Sequence, residues 1–110
     1  MTIHLLRDRA TPEQVSQMLE VYGTLIKLAV DVERHVVAGG GEWHADCETE
    51  LLQDGSRQEN IWGADWLSNT KQVRFEALIN IRPRQGNRKS EIQDSALREQ
   101  IEKIVRSIFE

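Results

Sequence analysis

The sequence of 110 residues contains one cysteine, two prolines and no long hydrophobic run. Because Cys47 has no partner, no internal disulfide can form, which excludes the disulfide-stabilised class of secreted domain and makes the cytoplasm the expected location. No stretch approaches the roughly 18 apolar residues of a membrane span, and Met1–Asp8 lacks the apolar core of a signal peptide. We therefore expect a cytoplasmic protein that has no membrane partner.

Positive charge is also in deficit, since 14 Lys and Arg residues stand against 18 Asp and Glu residues, for a formal net charge of −4. This balance argues against a generally basic nucleic-acid binder, although a local basic patch is still compatible with it. The length fits a single domain over 1–110 with a small core. Because such a core leaves little stability in reserve, we expect a homo-oligomer, with a homodimer as the simplest case.

Amphipathic patterns predict a helix near each end of the chain. Thr11 is a capping residue followed by Pro12, and apolar residues three or four apart continue as far as Ile26. Near the other end, Asp94 is a plausible cap for an apolar stripe that runs on towards Phe109. We predict helices over about 11–26 and about 94–109.

A period of two between these helices predicts a hairpin. Apolar and polar residues alternate over Leu28–Val32, and the pattern leads into three consecutive glycines at 39–41. Alternation resumes on the far side, over Trp43–Leu51. Because glycine accepts positive φ without strain, Gly39 and Gly40 are predicted to form the hairpin turn.

Two further alternating segments, Ile61–Leu67 and Val73–Arg82, predict a third and a fourth strand. Thr2–Leu6 is too short to assign by pattern. The order helix, four strands, helix favours an α+β fold. We predict a four-stranded antiparallel meander with the N-terminal and C-terminal helices packed on one face.

The outer face of the predicted hairpin suggests a metal site. With Gly39 and Gly40 in the turn, His35 faces His44, and Glu33 faces Asp46. Facing carboxylates repel each other unless a cation lies between them, and imidazole and carboxylate groups suit a divalent transition metal. The candidate ligands are therefore His35, His44 and Asp46. The alternatives are an acid–base pair at the same place and a solvated strand face, and a shift of one residue in register would separate the three residues.

The segment 82–89 contains four cations and no acid, which makes it a candidate contact for an anion, a nucleic acid or a protein partner. The candidate residues are Asn80, Arg82, Arg84 and Arg88. The alternative is that these cations pair with the acidic hairpin inside the fold or across a dimer. Neither a Walker loop nor a dinucleotide-binding glycine signature is present.

The aromatic residues are few, with three tryptophans, two phenylalanines and one tyrosine. We interpret Trp43, Trp62 and Trp66 as core residues, with stacking on a base or a sugar as the alternative. Cys47 alternates with acidic residues and is therefore predicted to point inward as a small buried hydrophobe.

Four blocks of the sequence resemble a family of short bacterial proteins that is catalogued as a domain of unknown function. The blocks are GGGEWHAD at 39–46, LLQDGSRQ at 51–58, IWGA at 61–64 and INIRPRQGNR at 79–88. The resemblance implies that the whole chain is the family domain, and it implies no activity. It draws attention to His44, Asp46, Asn80, Arg82 and Arg88, which lie in the matching blocks.

These observations favour a self-associating binding or interaction module. Its candidate surface consists of the acidic hairpin face, which is the outer face that carries Glu33 and Asp46, and the arginine-rich loop, which is the segment 82–89. One alternative is a small metal-dependent hydrolase or nuclease in which the acidic hairpin holds a divalent ion that activates water. A further alternative is an RNA-binding protein.

Overall fold

The computed structural model describes residues 1–110 and combines an antiparallel sheet with three α-helices. In chain order the elements are β1 (His4–Leu6), α1 (Pro12–Met18), β2 (Leu25–Asp31), β3 (Val36–Gly39), α2 (His44–Gln53), β4 (Ile61–Leu67), β5 (Val73–Arg74) and α3 (Ser95–Phe109). The strand order is β1-β3-β2-β4-β5, and every neighbouring pair is antiparallel. The predicted α+β class is confirmed, but the sheet has five strands rather than four.

The first helix begins as predicted and ends earlier. The amide of Gln14 donates to the Thr11 hydroxyl at 3.1 Å, and the Gln14 side chain accepts from the Thr11 amide at 3.0 Å. The helix ends at Met18, and Gly23 then adopts a left-handed φ of 77° that redirects the chain into β2. Ile26, predicted to be helical, is instead a buried residue of the central strand.

The hairpin between β2 and β3 turns at 32–35 rather than at the glycines. Oδ1 of Asp31 accepts hydrogen bonds from the amides of Glu33 and Arg34, both at 2.9 Å, and His35 takes a positive φ of 56°. An aspartate that bonds the amides just after it stabilises a tight turn without any glycine. The glycine run instead lets the chain pass close to its neighbours, since a Cβ on Gly40 would collide with the Thr2 carbonyl oxygen.

Residues 44–53, most of which were predicted to lie in a strand, form α2. The two inward residues of that segment, Cys47 and Leu51, are four apart, which satisfies a helical period as well as a strand period. Oδ2 of Asp46 accepts from the Trp43 amide at 3.0 Å and so caps the start of the helix. The prediction that Cys47 is buried is confirmed, although it faces inward from a helix.

The helices cover both faces of the sheet, so the prediction of a single covered face was wrong. On one face Leu28 and Val30 pack in a core that includes residues of α1 and α3. On the other face Ala29 packs against Cys47 and Leu51 of α2. The central strand β2 is therefore buried on both sides.

The predicted fourth strand is shorter than its alternating pattern suggested. After β5 the chain pairs with 90–92, where the Ala77 amide donates to the Ser90 carbonyl at 3.1 Å. A 3₁₀ turn, Leu78–Asn80, then crosses the face of β4 at Gly63. A Cβ on Gly63 would lie 2.5 Å from the Ala77 Cβ, so the crossing requires glycine there.

Candidate functional site

Two adjoining clefts open between the start of α2, the β4–β5 side of the sheet and the segment after β5. Their volumes are about 760 Å³ and about 410 Å³. Lys27, His44 and Glu76 line both, so these three residues lie where the clefts meet. The larger cleft is also lined by Tyr22, Asp65, Arg74, Phe75, Glu91 and Arg98. The smaller one is lined in part by Trp43 and Leu78.

A buried carboxylate holds the histidine of this site. Asp65 lies on β4 with 8% of its side chain exposed, and its Oδ1 is 2.8 Å from Nε2 of His44. Its other oxygen, Oδ2, is 3.5 Å from a guanidinium nitrogen of Arg74. The Ala64 carbonyl oxygen is also within 3.2 Å of Nε2. The His44 ring is therefore held by two acceptors.

Those two acceptors fix the tautomer of His44. An ionised carboxylate and a carbonyl both require a proton on Nε2, so in the neutral ring Nδ1 carries the free lone pair. Nδ1 makes no hydrogen bond within the chain, and it is not sealed from solvent. His44 thus presents an unpaired basic nitrogen while its other nitrogen is fixed.

The start of α2 places His44 through several short-range contacts. His44 is the first residue of the helix that Asp46 caps, and the Cys47 thiol donates to the Lys27 carbonyl oxygen at 3.4 Å. Close approach also matters, because a Cβ on Gly41 would lie 3.0 Å from the Cys47 sulfur. Burial raises the pKa of the Cys47 thiol to about 12, so the thiol stays protonated at neutral pH and anchors the helix through its hydrogen bond.

Lys27 is the cation at the centre of the site. It lies on β2 directly opposite Asp65, and its Nζ is 5.0 Å from the Tyr22 ring centroid and 5.3 Å from that of Trp43. These distances fit cation–π contacts with both rings. No carboxylate forms a salt bridge with this ammonium group. Trp43 is 59% exposed as a residue, which leaves much of its surface open beside the charge.

Comparison with known proteins assigns a family without a function. A family model described as a protein of unknown function, DUF5674, matches residues 4–108. The chain belongs to that family. No curated protein and no solved structure matches the chain. Within this DUF5674 domain, no helix combines the length and the apolar character that crossing a bilayer would require.

The three predicted metal ligands are not brought together in the DUF5674 domain. His35 lies in the turn after β2, whereas His44 contacts Asp65 beside Lys27, four residues earlier along that strand. Lys27 is four residues before Asp31, the last residue of β2, so at about 3.3 Å per residue the two sites are separated by about 13 Å or more along the sheet. Asp46 caps α2. No group of three His, Cys, Asp or Glu residues lies close enough to hold a metal ion. The predicted register was wrong because the hairpin turns at 32–35 and α2 replaces the second strand.

Two of the predicted anion-binding residues are engaged inside the fold. Asn80 is fully buried, and its side chain accepts from the Gly63 amide at 2.7 Å and donates to the Gly63 carbonyl at 3.0 Å. Arg82 donates to the Ile61 carbonyl at 2.6 Å and forms a salt bridge of 3.2 Å with Glu48. Burial lowers the pKa of Arg82 from its usual value, and the Glu48 carboxylate opposes that shift.

The other two, Arg84 and Arg88, are exposed on the loop. Neither guanidinium group takes part in a hydrogen bond or salt bridge, in contrast to that of Arg82. The arginine-rich loop therefore divides into one internal arginine and two that face solvent.

Sequence reasoning missed the residues that surround His44. Lys27 and Asp65 are charged residues within the apolar stretches LIKLAV and IWGADWL, and an isolated charge in a buried strand is a signal of a site. The interpretation of Trp62 and Trp66 as core residues is confirmed. That of Trp43 was wrong, because its side chain lies largely in solvent at the mouth of the smaller cleft.

Proposed function

We propose that this DUF5674 domain is a binding module for small organic anions that carry a planar ring. The observation that carries the proposal is the Lys27 ammonium group, which lies over two aromatic rings and makes no salt bridge with a carboxylate. A partly buried cation that makes no salt bridge gains from an incoming anion. The exposed indole of Trp43 beside it offers a surface on which a planar group can stack.

The size and charge of the larger cleft support a small ligand. Its volume of about 760 Å³ lies within the range of about 300–1,000 Å³ that is typical of small-molecule sites. Its lining holds three cations and three acids, so its net charge is about zero. A small ligand with one or two negative charges fits this balance better than a polyanion does, because additional negative charge would meet Glu76 and Glu91.

Calorimetry with uridine 3′-monophosphate, and with uncharged uridine as the reference ligand, tests the proposal. The nucleotide should bind more tightly than uridine, and Lys27→Met should weaken nucleotide binding about tenfold, which corresponds to about 1.4 kcal/mol. The affinity for uridine should change little.

Lys71→Met is the matched control. Lys71 also lies over an aromatic ring, with its Nζ 4.9 Å from the Trp66 centroid, but it does not line either cleft. Its removal should leave nucleotide affinity unchanged. Equal affinities in wild-type protein and Lys27→Met would refute the proposal.

A second candidate is anion or RNA contact at the arginine-rich loop, favoured by the unpaired guanidinium groups of Arg84 and Arg88. In that case salt-sensitive binding would depend on these two arginines and not on Lys27. The same titration with both arginines changed to alanine therefore separates the two candidates.

A further inference from the structure

We propose that the cleft is catalytic and cleaves the phosphodiester bond of short ribonucleotides, with His44 as the general base. The proposal rests on the proposed binding function and gives its ligand a chemical class. Lys27 would hold the reacting phosphate, and Asp65 is a positioning residue that acts through His44.

The hydrogen bonds of His44 fit the role of a general base. Asp65 and the Ala64 carbonyl both accept from Nε2, at 2.8 Å and 3.2 Å, which leaves Nδ1 as the basic atom. An imidazole whose second nitrogen is fixed by a buried carboxylate is the arrangement by which enzymes orient a histidine base. His44 is also part of the wall of both clefts, so a molecule bound in either one lies next to its ring.

The groups beside His44, Lys27 and Trp43, favour a phosphodiester as the substrate. Lys27 on β2 is paired with Asp65 on β4, and Asp65 contacts His44, so the cation and the histidine base belong to one site. A phosphodiester places its single negative charge on the reacting group itself, where an ammonium group can stabilise the transition state. The nucleobase supplies the planar ring for Trp43, and the overall charge of −4 disfavours long polyanions.

A ribonucleotide also carries its own nucleophile. An adjacent hydroxyl in the same molecule removes the need to capture a second reactant, and well-oriented intramolecular reactions reach effective molarities of about 10⁵–10⁸ M. One general base and one cation can then promote the attack of this hydroxyl on phosphorus. A deoxyribonucleotide lacks this hydroxyl and is the matched substrate control.

Nδ1 of His44 takes the proton of the 2′-hydroxyl, the 2′-oxygen bonds to phosphorus, and the bond between phosphorus and the 5′-oxygen breaks. The 5′-oxygen takes a proton from water, and His44 returns its proton to the resulting hydroxide. The products are a 2′,3′-cyclic phosphate and a free 5′-hydroxyl, and nothing is oxidised or reduced.

The experiment follows cleavage of the dinucleotide uridylyl-(3′→5′)-uridine by chromatography, in the presence of a metal chelator. Wild-type protein should release uridine 2′,3′-cyclic phosphate, and His44→Gln should be slower by about 100-fold or more. His35→Asn is the matched control, because His35 lies in the β2–β3 turn with a positive φ that asparagine tolerates. It should retain the wild-type rate.

Asp65→Asn tests the positioning role. The amide group of asparagine can donate to Nε2, which would move the ring proton to Nδ1 and remove the base. Nitrogen chemical shifts of the His44 ring should therefore show the Nε2–H tautomer in the wild-type protein and its loss in the variant. The expected kinetic change is a lower kcat with little change in KM.

The outcomes separate catalysis from binding. If uridine 3′-monophosphate binds through Lys27 but the dinucleotide is cleaved no faster by wild-type protein than by folded His44→Gln, the catalytic proposal is wrong and the binding function stands. If the nucleotide does not bind, both fail. Cleavage of thymidylyl-(3′→5′)-thymidine at the same rate would overturn the role of the 2′-hydroxyl.

Discussion

Asn80 is the residue that ties the segment after β5 to the sheet. Its amide group pairs with both backbone groups of Gly63, at 2.7 Å and 3.0 Å, and donates to the Phe75 carbonyl at 3.3 Å. Asn87 in turn donates to the Asn80 carbonyl at 2.7 Å. The sequence analysis selected the block 79–88, which contains both asparagines, but it did not identify the groups to which they hydrogen-bond. Those partners are backbone groups, which carry no sequence signal.

Replacing Asn80 with alanine should lower the free energy of unfolding by about 2–3 kcal/mol, because the buried amide and carbonyl of Gly63 lose their partners. Denaturant unfolding measures this loss. The control is Asn69→Ala, at an exposed position in the β4–β5 connection, which should change stability by less than about 0.5 kcal/mol. An Asn80→Ala protein as stable as the control would show that the pairing with Gly63 is dispensable.

At the scale of elements, α2 shows where sequence reasoning succeeds and fails. The caps of α1 and α3 were readable, because each lies within three residues of its partner; Asp94 accepts from the Ala96 amide at 2.9 Å, for example. The helical state of residues 44–53 was not readable from the sequence. Its buried residues, Cys47 and Leu51, fit two periods, and the preceding glycines suggested a hairpin turn that Asp31 forms elsewhere.

The candidate site was predicted from the sequence only in part. His44 was selected from the sequence, although with the wrong neighbours. Its actual partner, Asp65, is 21 residues away and becomes a neighbour through the packing of α2 against the sheet. Lys27 joins them through the β2–β4 register, which depends on the position of the hairpin turn. A local pattern does not contain that information.

Because α2 positions His44, its cap should affect both stability and the site. Asp46→Ala removes the acceptor for the Trp43 amide and a negative charge from the helix N-terminus, which should lower the free energy of unfolding by about 1 kcal/mol. Asp46→Asn keeps an acceptor and should recover part of the loss. The measurement is denaturant unfolding of the three proteins, and equal midpoints would contradict the capping role.

Over the whole molecule, the segment after β5 presents two large apolar side chains to solvent. Leu78, which lines the smaller cleft, is 80% exposed, and Ile81, whose amide donates to the Leu78 carbonyl at 3.1 Å, is 47% exposed. Single exposed apolar residues are common, but two on one short segment favour an interface. We propose that the protein self-associates through this surface.

Light scattering tests the proposal. The wild-type protein should show about twice the chain mass of 12.7 kDa, and Leu78→Ser should lower the average mass. Leu52→Ser is the control, since Leu52 is 41% exposed on α2 and does not line the smaller cleft. A monomeric wild-type protein, or equal effects of the two substitutions, would remove this surface as the interface.

The proposed functional site is the cleft around Lys27 and His44, rather than the hairpin turn or the arginine-rich loop. Titration of isotope-labelled protein with uridine 3′-monophosphate, followed by amide chemical shifts, locates the bound nucleotide. Binding in this cleft should place the largest shifts at Tyr22, Lys27, Trp43, His44 and Asp65. Shifts confined to 82–89 or to 32–35, or no shifts at a concentration that saturates a site of millimolar affinity, would contradict it.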